Sequence, residues 1–427
     1  MILAGTGPLW RVGVALLVGV AGTSCVPGAD RRESDDSGSA VDVPLIKAAF
    51  RGAAPRVDTA DGLIIPAREK DYLYWVVGAG VLSDGSVAVG NRGSTEVLIF
   101  GPDGALIRRF GGRGGGPGEF SALSRMQVRP PDTLVVWDRE RADVTRLMPD
   151  GTVASATSDR ALERSPGGMS QWVATPDGLL FAKQADRGSR FPPEGVVRPQ
   201  RPLIRIGAET IDTLALLPGP EFVFLDMGSS VKEQATTLFF ADWHLAGGGR
   251  PWRLVVGDGA SARLDVRDAS GRLIRVVTWD AEPPVLTATA VTAARDDRMR
   301  EMVSIGRRPE AEAARLVRQL PAPEHAPLFR RLFVDDLGNI WVKRHAAPSV
   351  PEGSWNVIYS SGTWIADVRL PADLIPLQIT EDRLVGLRRD SLDVETVALY
   401  AVSWLPKASR PGTDQRMAED TLRPSPR

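Results

Sequence analysis

The chain has 427 residues, of which 43% are hydrophobic and 25% are charged, so it contains ample material for a globular core. Its 52 Lys and Arg residues are balanced by 53 Asp and Glu residues, which leaves a formal net charge of -1. A nucleic-acid-binding protein usually concentrates a basic surplus on one face, and this balance predicts no nucleic-acid partner. The 43 glycines and 33 prolines are typical of an all-β chain with many turns.

An apolar segment near the N-terminus ends at the only cysteine of the sequence, Cys25. Arg11 precedes the apolar run of residues 12–21, which is too short to span a bilayer but has the length of a signal-peptide core. Two small residues then precede Cys25, as in a bacterial lipobox, although Gly22 stands where a leucine-like residue is usual. We predict that residues 1–25 form a signal peptide and that Cys25 is lipidated. The alternative is a buried cysteine in an uncleaved apolar helix.

The segment after this cysteine is polar and has no hydrophobic periodicity. Residues 30–42 read DRRESDDSGSAVD, a composition that favours a flexible tether over a helix. We therefore predict a tether over residues 26–55 and an extracytoplasmic location, periplasmic or at the cell surface, with the lipid held in a bacterial membrane. Residues 407–427 are also polar and are predicted to form a disordered tail.

A short apolar strand pattern recurs six times, next to turn residues such as Asp-Gly and Ser-Gly. The copies read SVAV, TLVV, GLLF, RLVV, NIWV and DRLVG, and most of them lie about 45 residues apart. Most copies are followed by a further strand, a turn and another strand. The clearest unit lies in residues 95–111, where Pro102 and Gly104 fit a tight hairpin turn between two strands. One four-stranded antiparallel sheet per repeat indicates a β-propeller.

These repeats predict an all-β fold, a six-bladed β-propeller with four-stranded antiparallel blades over residues 56–406. The last repeat is one strand short, and a strand within residues 43–66 is predicted to close the ring by pairing with the C-terminal edge. Residues 286–322 have helical periodicity and predict one helical insertion between blades 4 and 5. Residues 188–200 and 218–234 are rich in Pro, Gly and Ser and are predicted to be loops.

A glycine-rich connection provides a resemblance to a known family. Residues 110–120 read FGGRGGGPGEF, and they are followed by TLVVWD at residues 133–138 and a Pro-Asp-Gly turn at residues 149–151. This arrangement resembles the NHL-type six-bladed propellers of bacterial envelope lipoproteins, which implies the same fold and an extracytoplasmic location. No Lys follows the glycines and no G-x-G-x-x-G register fits. We therefore interpret the run as a connection between blades rather than a phosphate-binding loop.

The sequence contains no motif for a metal, a cofactor or a catalytic nucleophile. The three histidines are His244, His325 and His345, and no two of them have the spacing of a zinc site. Neither a calcium loop of alternating acids nor a G-x-S-x-G nucleophile elbow occurs. We therefore predict no cofactor, no metal site and no catalytic residue from the sequence.

A set of polar residues recurs two positions beyond the end of each aligned strand. Loops at that position lie on one face of a propeller, where their side chains can surround the central channel. A mixed ring of cations, anions and an amide is suited to a charged or zwitterionic ligand. The alternative is that the Asp and Asn residues cap turns and that the basic side chains are solvated. The six residues of this predicted ligand ring are Asn91, Asp138, Lys183, Asp258, Arg344 and Arg388.

The function predicted from these observations is that of a lipid-anchored, extracytoplasmic binding scaffold. Its partners would be a membrane, through the lipid, and an unidentified small molecule, glycan or protein. The alternative is a hydrolase or lyase, of the lactonase-like kind found among related propellers. A channel lined by Arg and Trp would favour binding, whereas Asp and Glu from several blades around a metal would favour an enzyme.

Overall fold

A computed structural model of the protein describes most of the chain between residues 41 and 406. The predicted signal peptide with Cys25, most of the predicted tether, part of one predicted loop (residues 188–194) and the predicted C-terminal tail lie outside the described residues. Within the described part, no helix has both the length and the apolar character needed to cross a membrane. The described residues are 41–44, 53–65, 73–141, 143–158, 169–176, 179–183, 195–206, 211–228, 232–304, 308–346, 350–359, 361–390 and 392–406.

The secondary structure of these residues is dominated by β-strands. The two helices are α1 (Ala288–Ser304) and α2 (Glu310–Arg318). In chain order, the strands are β1 (Val41–Pro44), β2 (Ala53–Ile65), β3 (Val76–Val81), β4 (Val87–Asn91), β5 (Glu96–Phe100), β6 (Leu106–Gly111), β7 (Leu123–Arg129), β8 (Thr133–Asp138), β9 (Asp143–Leu147), β10 (Val153–Ser158), β11 (Met169–Ala174), β12 (Leu179–Lys183), β13 (Gln200–Ile206), β14 (Ile211–Pro218), β15 (Phe222–Asp226), β16 (Lys232–Thr236), β17 (His244–Gly248), β18 (Arg253–Gly257), β19 (Arg263–Arg267), β20 (Leu273–Thr278), β21 (Phe329–Val334), β22 (Ile340–Arg344), β23 (Ser354–Ile358), β24 (Trp364–Arg369), β25 (Ile375–Ile379), β26 (Arg383–Arg389) and β27 (Glu395–Pro406).

Most of these strands form the blades of a β-propeller. Five sheets have four antiparallel strands: β3–β6, β7–β10, β11–β14, β21–β24, and β25–β27 together with β2. These five sheets confirm the predicted all-β propeller with four-stranded antiparallel blades. The sheet of β17–β20 has a fifth strand, because β1 pairs in parallel with its outer strand β20. The described structure therefore has five blades of the predicted four-stranded kind, and the prediction of six such blades is wrong.

Local turn chemistry places a hairpin in the clearest repeat, where the sequence predicts one. Strands β5 and β6 pair in antiparallel register around the turn. Gly104 has a φ of 76°, a left-handed value that glycine adopts without a steric cost. The Asp103 carboxylate accepts a hydrogen bond from Ala105 N at 3.0 Å, which fixes the turn from inside. The glycine-rich run then leads from β6 into β7, as a connection between sheets.

We call the first strand of each of these sheets innermost, because first strands of different sheets contact one another: β3 contacts β7 and β25, and β17 contacts β11 and β21. The innermost strands are β3, β7, β11, β17, β21 and β25. Three glutamine side chains join neighbouring innermost strands by accepting backbone hydrogen bonds. The bonds are Ala174 N to Gln127 Oε1 at 3.1 Å, Leu245 N to Gln171 Oε1 at 2.8 Å and Val81 N to Gln378 Oε1 at 2.7 Å. These amides satisfy N–H groups that the inner edge of a sheet would otherwise leave unpaired.

The first long strand of the described chain lies beside the last one. β2 pairs in antiparallel register with β27, with an irregularity between Asp58 and Gly62. β2 is the outer strand of this sheet, and β25 is its inner strand. A hydrogen bond joins this sheet to β3, the innermost strand of the first sheet: Val76 N donates to Glu395 Oε2 of β27 at 2.6 Å.

The helices confirm the predicted helical insertion, and they pack against a hairpin that the sequence analysis missed. α1 and α2 lie between β20 and β21, within the predicted residues 286–322. β15 and β16 form a two-stranded sheet, and its buried Leu225 belongs to the same apolar cluster as Leu316 of α2. The prediction of a loop over residues 218–234 is therefore wrong for this hairpin. Its apolar residues are buried by helices that lie far away in the sequence, so local composition does not reveal them.

Candidate functional site

The central channel has two ends, which we define by the innermost strands. The entry end is where these six strands begin, and the exit end is where they finish. Because the second strand of each blade runs antiparallel to the first, the second strands finish at the entry end. The whole predicted ligand ring therefore lies at the entry end. One member, Lys183, ends β12, and its side chain lies outside the described part of the structure.

Two residues of the predicted ring are engaged in local turns. Asn91 is buried, its Oδ1 accepts a hydrogen bond from Tyr74 N at 2.8 Å, and its Nδ2 donates to Ser94 Oγ at 3.0 Å. Asp138 is also buried, and its carboxylate accepts hydrogen bonds from four backbone N–H groups at 2.6 to 3.2 Å. These bonds support the turn-capping alternative for both residues.

Three other residues of the predicted ring have different partners or line different cavities. Asp258 forms an ion pair with Arg198 at 3.2 Å and lines a cavity of about 120 Å³ between β17–β20 and the preceding sheet. Arg344 is exposed and lines a different cavity, also of about 120 Å³. Arg388 Nε is paired with Asp373 Oδ2 at 2.7 Å. The described structure does not join these residues in one cavity, so the ligand ring stays a prediction.

Three basic residues of the innermost strands share one level of the entry end. We call Arg125, His244 and Arg331 the Arg layer. Their strand-pairing partners each come directly before a residue of the predicted ring, so the three residues occupy equivalent positions in their sheets. The pairs are Arg125–Trp137, His244–Gly257 and Arg331–Lys343. A register shift next to each arginine interrupts the regular alternation of side chains, as a β-bulge does when it redirects a residue.

The two arginines of the Arg layer carry positive charge without a partner. In the described part of the chain, neither guanidinium has a hydrogen-bond or ion-pair partner, and both side chains are accessible to water. Burial is still the first cause that lowers the pKa of both arginines, because the surrounding sheets displace much of the water around them. Neighbouring cations lower these pKa values further, namely Arg92 beside Arg125 and Arg330 beside Arg331.

Two further groups define the electrostatics next to Arg331. Burial and the charge of Arg331 lower the pKa of His244 to about 4, against an opposing effect of Asp258. The imidazole is therefore neutral at pH 7, and it can donate one hydrogen bond and accept another. Burial, Arg330 and Arg331 lower the pKa of Lys343 to about 8. Burial is the larger cause of both shifts, and the neighbouring arginines add to it.

An exposed aromatic pair precedes the first innermost strand. Tyr74 and Trp75 come directly before β3, are 54% and 52% exposed, and stack with their ring centroids 4.5 Å apart. The guanidinium carbon of Arg92 lies 5.5 Å from the centroid of the Trp75 ring. Trp75 has a φ of 55°, in the left-handed region that bulky residues rarely adopt. We call Tyr74, Trp75 and Arg92 the aromatic platform.

The exit end has a different character. A cavity of about 830 Å³ lies there, lined by the loops after β3, β7, β21 and β25 and by parts of β2 and β27. It shares Arg250, Asp336 and Gln378 with a smaller cavity of about 190 Å³ inside the channel. Burial raises the pKa of Asp336, and the charges of Arg250 and Arg129 oppose this shift. Arg129 lies over the Trp252 ring, 6.0 Å from its centroid. The exit end thus combines both signs of charge.

The histidines and acids of the described residues do not form a metal centre, since no three His, Cys, Asp or Glu side chains are arranged to hold an ion. His244 contacts Phe329, with ring centroids 5.8 Å apart, whereas His345 contacts Phe239 at 5.6 Å. His325 forms an isolated bridge with Val285. The three histidines thus have separate surroundings.

The Arg layer is not visible in the sequence when only the second strand of each blade is aligned. Arg125 and Arg331 each lie eleven residues before the last residue of the aligned strand, which is Val136 or Val342. This shared offset is a signal that an alignment of the first strands would have found. The aromatic pair precedes the first repeat, so a comparison of repeats does not include it.

No family model and no curated protein sequence matches the chain. Among solved structures, it is similar to a member of the DUF4221 family from Bacteroides vulgatus, with a TM-score of 0.48 and 10% identity over 83% of this chain and 99% of that one. It is also similar to a gluconolactonase from Xanthomonas campestris, with a TM-score of 0.41 and 14% identity over 83% of this chain and 99% of that one. For virginiamycin B lyase from Staphylococcus aureus, the TM-score is 0.36 and the identity 10% over 82% and 99% of the two chains. These likenesses assign no role to any residue.

Proposed function

We propose that the protein is a lipid-anchored, extracytoplasmic β-propeller that binds an anionic ligand at the entry end of its channel. The observation that carries this proposal is the presence of two arginines, Arg125 and Arg331, without a partner at one level of the channel. A guanidinium group matches a carboxylate or phosphate because its N–H donors form a planar fork. A bound anion would offset the cost that partial burial and neighbouring cations impose on both side chains.

The proposal includes a ring of six blades, NHL-like in arrangement, in which β17–β20 with its added strand is the fourth. β2 closes this ring as the outer strand of the last blade. The sheets of Arg125 and Arg331 are then the second and the fifth, and such sheets face each other across a six-membered ring. In this arrangement the two guanidiniums would bind one anion from opposite sides, and His244, on the fourth blade, would supply a neutral hydrogen-bonding group beside it.

The predicted ligand ring has a secondary part in this proposal. Arg344 is exposed and comes directly after Lys343, the strand partner of Arg331. We assign it the role of a rim cation that attracts the ligand through long-range electrostatics. Arg388 has the same role to a smaller extent, because Asp373 already balances its charge.

The anion site is tested by thermal unfolding of the mature protein in sodium phosphate and in sodium chloride at equal ionic strength. Phosphate is expected to raise the unfolding midpoint by about 2 °C more than chloride does, because it binds only the folded state. The R125Q/R331Q double variant is expected to lose this difference. Arg272 provides a matched control, since it is exposed and already paired with Asp268 at 3.2 Å, and R272Q should keep the phosphate effect. A phosphate effect of the same size in R125Q/R331Q would contradict the proposal.

The lipid anchor is tested separately, by the variant C25S. Without the thiol no acyl chain can be attached, so the protein should move from the membrane fraction to the soluble extracytoplasmic fraction. S24A keeps the cysteine and serves as the control that should remain in the membrane. If C25S stayed in the membrane fraction, the anchor would have to be something other than the lipid.

The enzymatic alternative differs from this proposal in what happens to the ligand. A hydrolase or lyase would turn over lactones or related esters, and His244 is the neutral imidazole at the entry end that could accept a proton. The binding proposal predicts that the mature protein leaves a panel of lactones unchanged. Turnover that is abolished in H244N would overturn the binding proposal in favour of an enzyme.

A further inference from the structure

The aromatic platform lies beside one of the two unpaired arginines. Trp75 immediately precedes β3, the innermost strand next to β7, and β7 carries Arg125. Arg92 connects the two features, since it lies over the Trp75 ring and its charge lowers the pKa of Arg125. The platform and Arg125 therefore lie close to each other at the entry end, since β3 and β4 both contact β7.

Specific contacts hold the platform in an exposed position. Tyr74 N donates to the buried Asn91 Oδ1 at 2.8 Å, and Gly93 N donates to Tyr74 O at 2.8 Å. A side chain on Gly93 would collide with Tyr74, because a Cβ there would lie 2.8 Å from both its ring and its carbonyl oxygen. Arg92 N donates to Trp75 O at 3.2 Å. Asn91, a member of the predicted ligand ring, thus acts as a positioning residue for the aromatic pair.

The conformation of the platform is unfavourable in the free protein. A left-handed φ at Trp75 costs of the order of 1 kcal/mol or more, and about half of each aromatic side chain remains in water. Strained residues with exposed apolar surface are often found where a ligand completes the packing.

We propose that the aromatic platform binds the ring of the ligand, and that the ligand is a small anion which carries an aromatic ring or a sugar ring. This inference rests on the proposed function, because the anionic group of the same molecule would bind the Arg layer. The ring of the ligand packs against the exposed side of the stacked Tyr74–Trp75 pair, and the Arg92 guanidinium lies over the Trp75 indole. The ligand thus spans from the platform to Arg125.

The test compares pairs of anions that differ only in the ring. The dissociation constants of benzoate and acetate, and of the cyclic glucuronate and the open-chain gluconate, are measured by calorimetry with the mature protein. The ring-bearing member of at least one pair is expected to bind about three- to tenfold more tightly, as aromatic stacking would contribute. The first pair reports an aromatic ring and the second a sugar ring.

Variants separate the two halves of the site. W75A should reduce the preference for the ring-bearing anion to about onefold and keep the phosphate effect on the unfolding midpoint. L216A is the control, because Leu216 is 66% exposed on the distant strand β14, and it should change neither. Equal binding of both members of both pairs, or an unchanged preference in W75A, would overturn this inference. Loss of the phosphate effect in R125Q/R331Q together with equal binding of the pairs would support the anion site but contradict the role of the aromatic platform. Absence of any phosphate effect in the natural protein would contradict both proposals.

Discussion

The two ends of the channel differ in how their charges are balanced. At the exit end, the charges of Arg129 and Arg250 oppose the pKa shift of Asp336, and the Gln378 amide accepts a backbone hydrogen bond. At the entry end, Arg125 and Arg331 have no partner among the described residues. The exit end nevertheless has the larger described cavity, of about 830 Å³ against about 120 Å³ for each described cavity at the entry end.

This difference shows that the volume of a cavity and the presence of unpaired charged side chains near it are separate properties. A wide space between loops follows from the way in which blades diverge, and it needs no ligand for stability. Unpaired and partly desolvated cations carry a cost, and proteins tolerate such costs mainly at sites of function. We therefore assign the exit end to structure and the entry end to binding, and the following predictions test that assignment.

The largest effect is expected at the exit end, from Asp335. This residue is fully buried, and its carboxylate accepts hydrogen bonds from Asn339 N at 2.7 Å, Asn339 Nδ2 at 2.9 Å and Trp341 Nε1 at 2.9 Å. D335A leaves these donors without an acceptor inside the protein, so the free energy of unfolding should fall by about 3 kcal/mol. Chemical denaturation measures this change, and D382A, in a neighbouring exposed turn, is the control. A loss below about 1 kcal/mol would mean that the exit end is not the structural one.

The second effect concerns the dependence of stability on pH at the entry end. The pKa of His244 falls from 6.5 in the unfolded chain to about 4 in the folded protein, so the unfolded state binds more protons between these values. The stabilising contribution is complete above pH 6.5 and is lost as the pH falls through 4. Besides Arg331 and Asp258, which act on the imidazole electrostatically, the Phe329 ring packs against it.

H244N removes this titration, and the comparison of the two proteins isolates it. Between pH 6.5 and 4, the natural protein should lose up to about 3 kcal/mol more of its free energy of unfolding than H244N does. Denaturant unfolding at several pH values within this window provides the measurement. Parallel pH curves for the two proteins would show that His244 is not held neutral by the entry end.

The third effect is a gain in stability. In a buffer without multivalent anions, R125Q and R331Q should each raise the free energy of unfolding by about 0.5 kcal/mol, because each removes an unpaired cation that remains partly screened by solvent. R272Q should not raise it, since Arg272 is paired with Asp268. A stability gain combined with the loss of the phosphate effect is typical of a binding residue. A clear loss of stability in both variants would instead indicate structural roles for Arg125 and Arg331.

The fold could be predicted from the sequence to a greater extent than the site. Turn residues such as Gly104 and the apolar strands beside them report local structure, which a repeat makes visible several times. The added strand β1 and the hairpin β15–β16 depend on contacts between distant segments. Local composition does not predict such contacts. At the site, the positions of Asn91 and Asp138 in the repeat predict a ligand role, but their hydrogen bonds serve local turns. Whether a polar side chain is satisfied depends on its neighbours in space, so the sequence does not distinguish Asp138 from Arg125.

The smallest effect is expected from Arg344, and it decides between the predicted ligand ring and the Arg layer. Because the Arg344 side chain is exposed to solvent, R344A should change the free energy of unfolding by less than about 0.5 kcal/mol. As a rim cation it should affect phosphate binding only through long-range attraction, roughly twofold at low ionic strength and not measurably at about 1 M salt, where charges are screened within about 3 Å. Calorimetric titration with phosphate at both ionic strengths measures this. If R344A abolished phosphate binding at high salt as completely as R331Q does, the ligand would be held directly at the rim. The residues that follow the second strands, rather than those of the innermost strands, would then form the binding site.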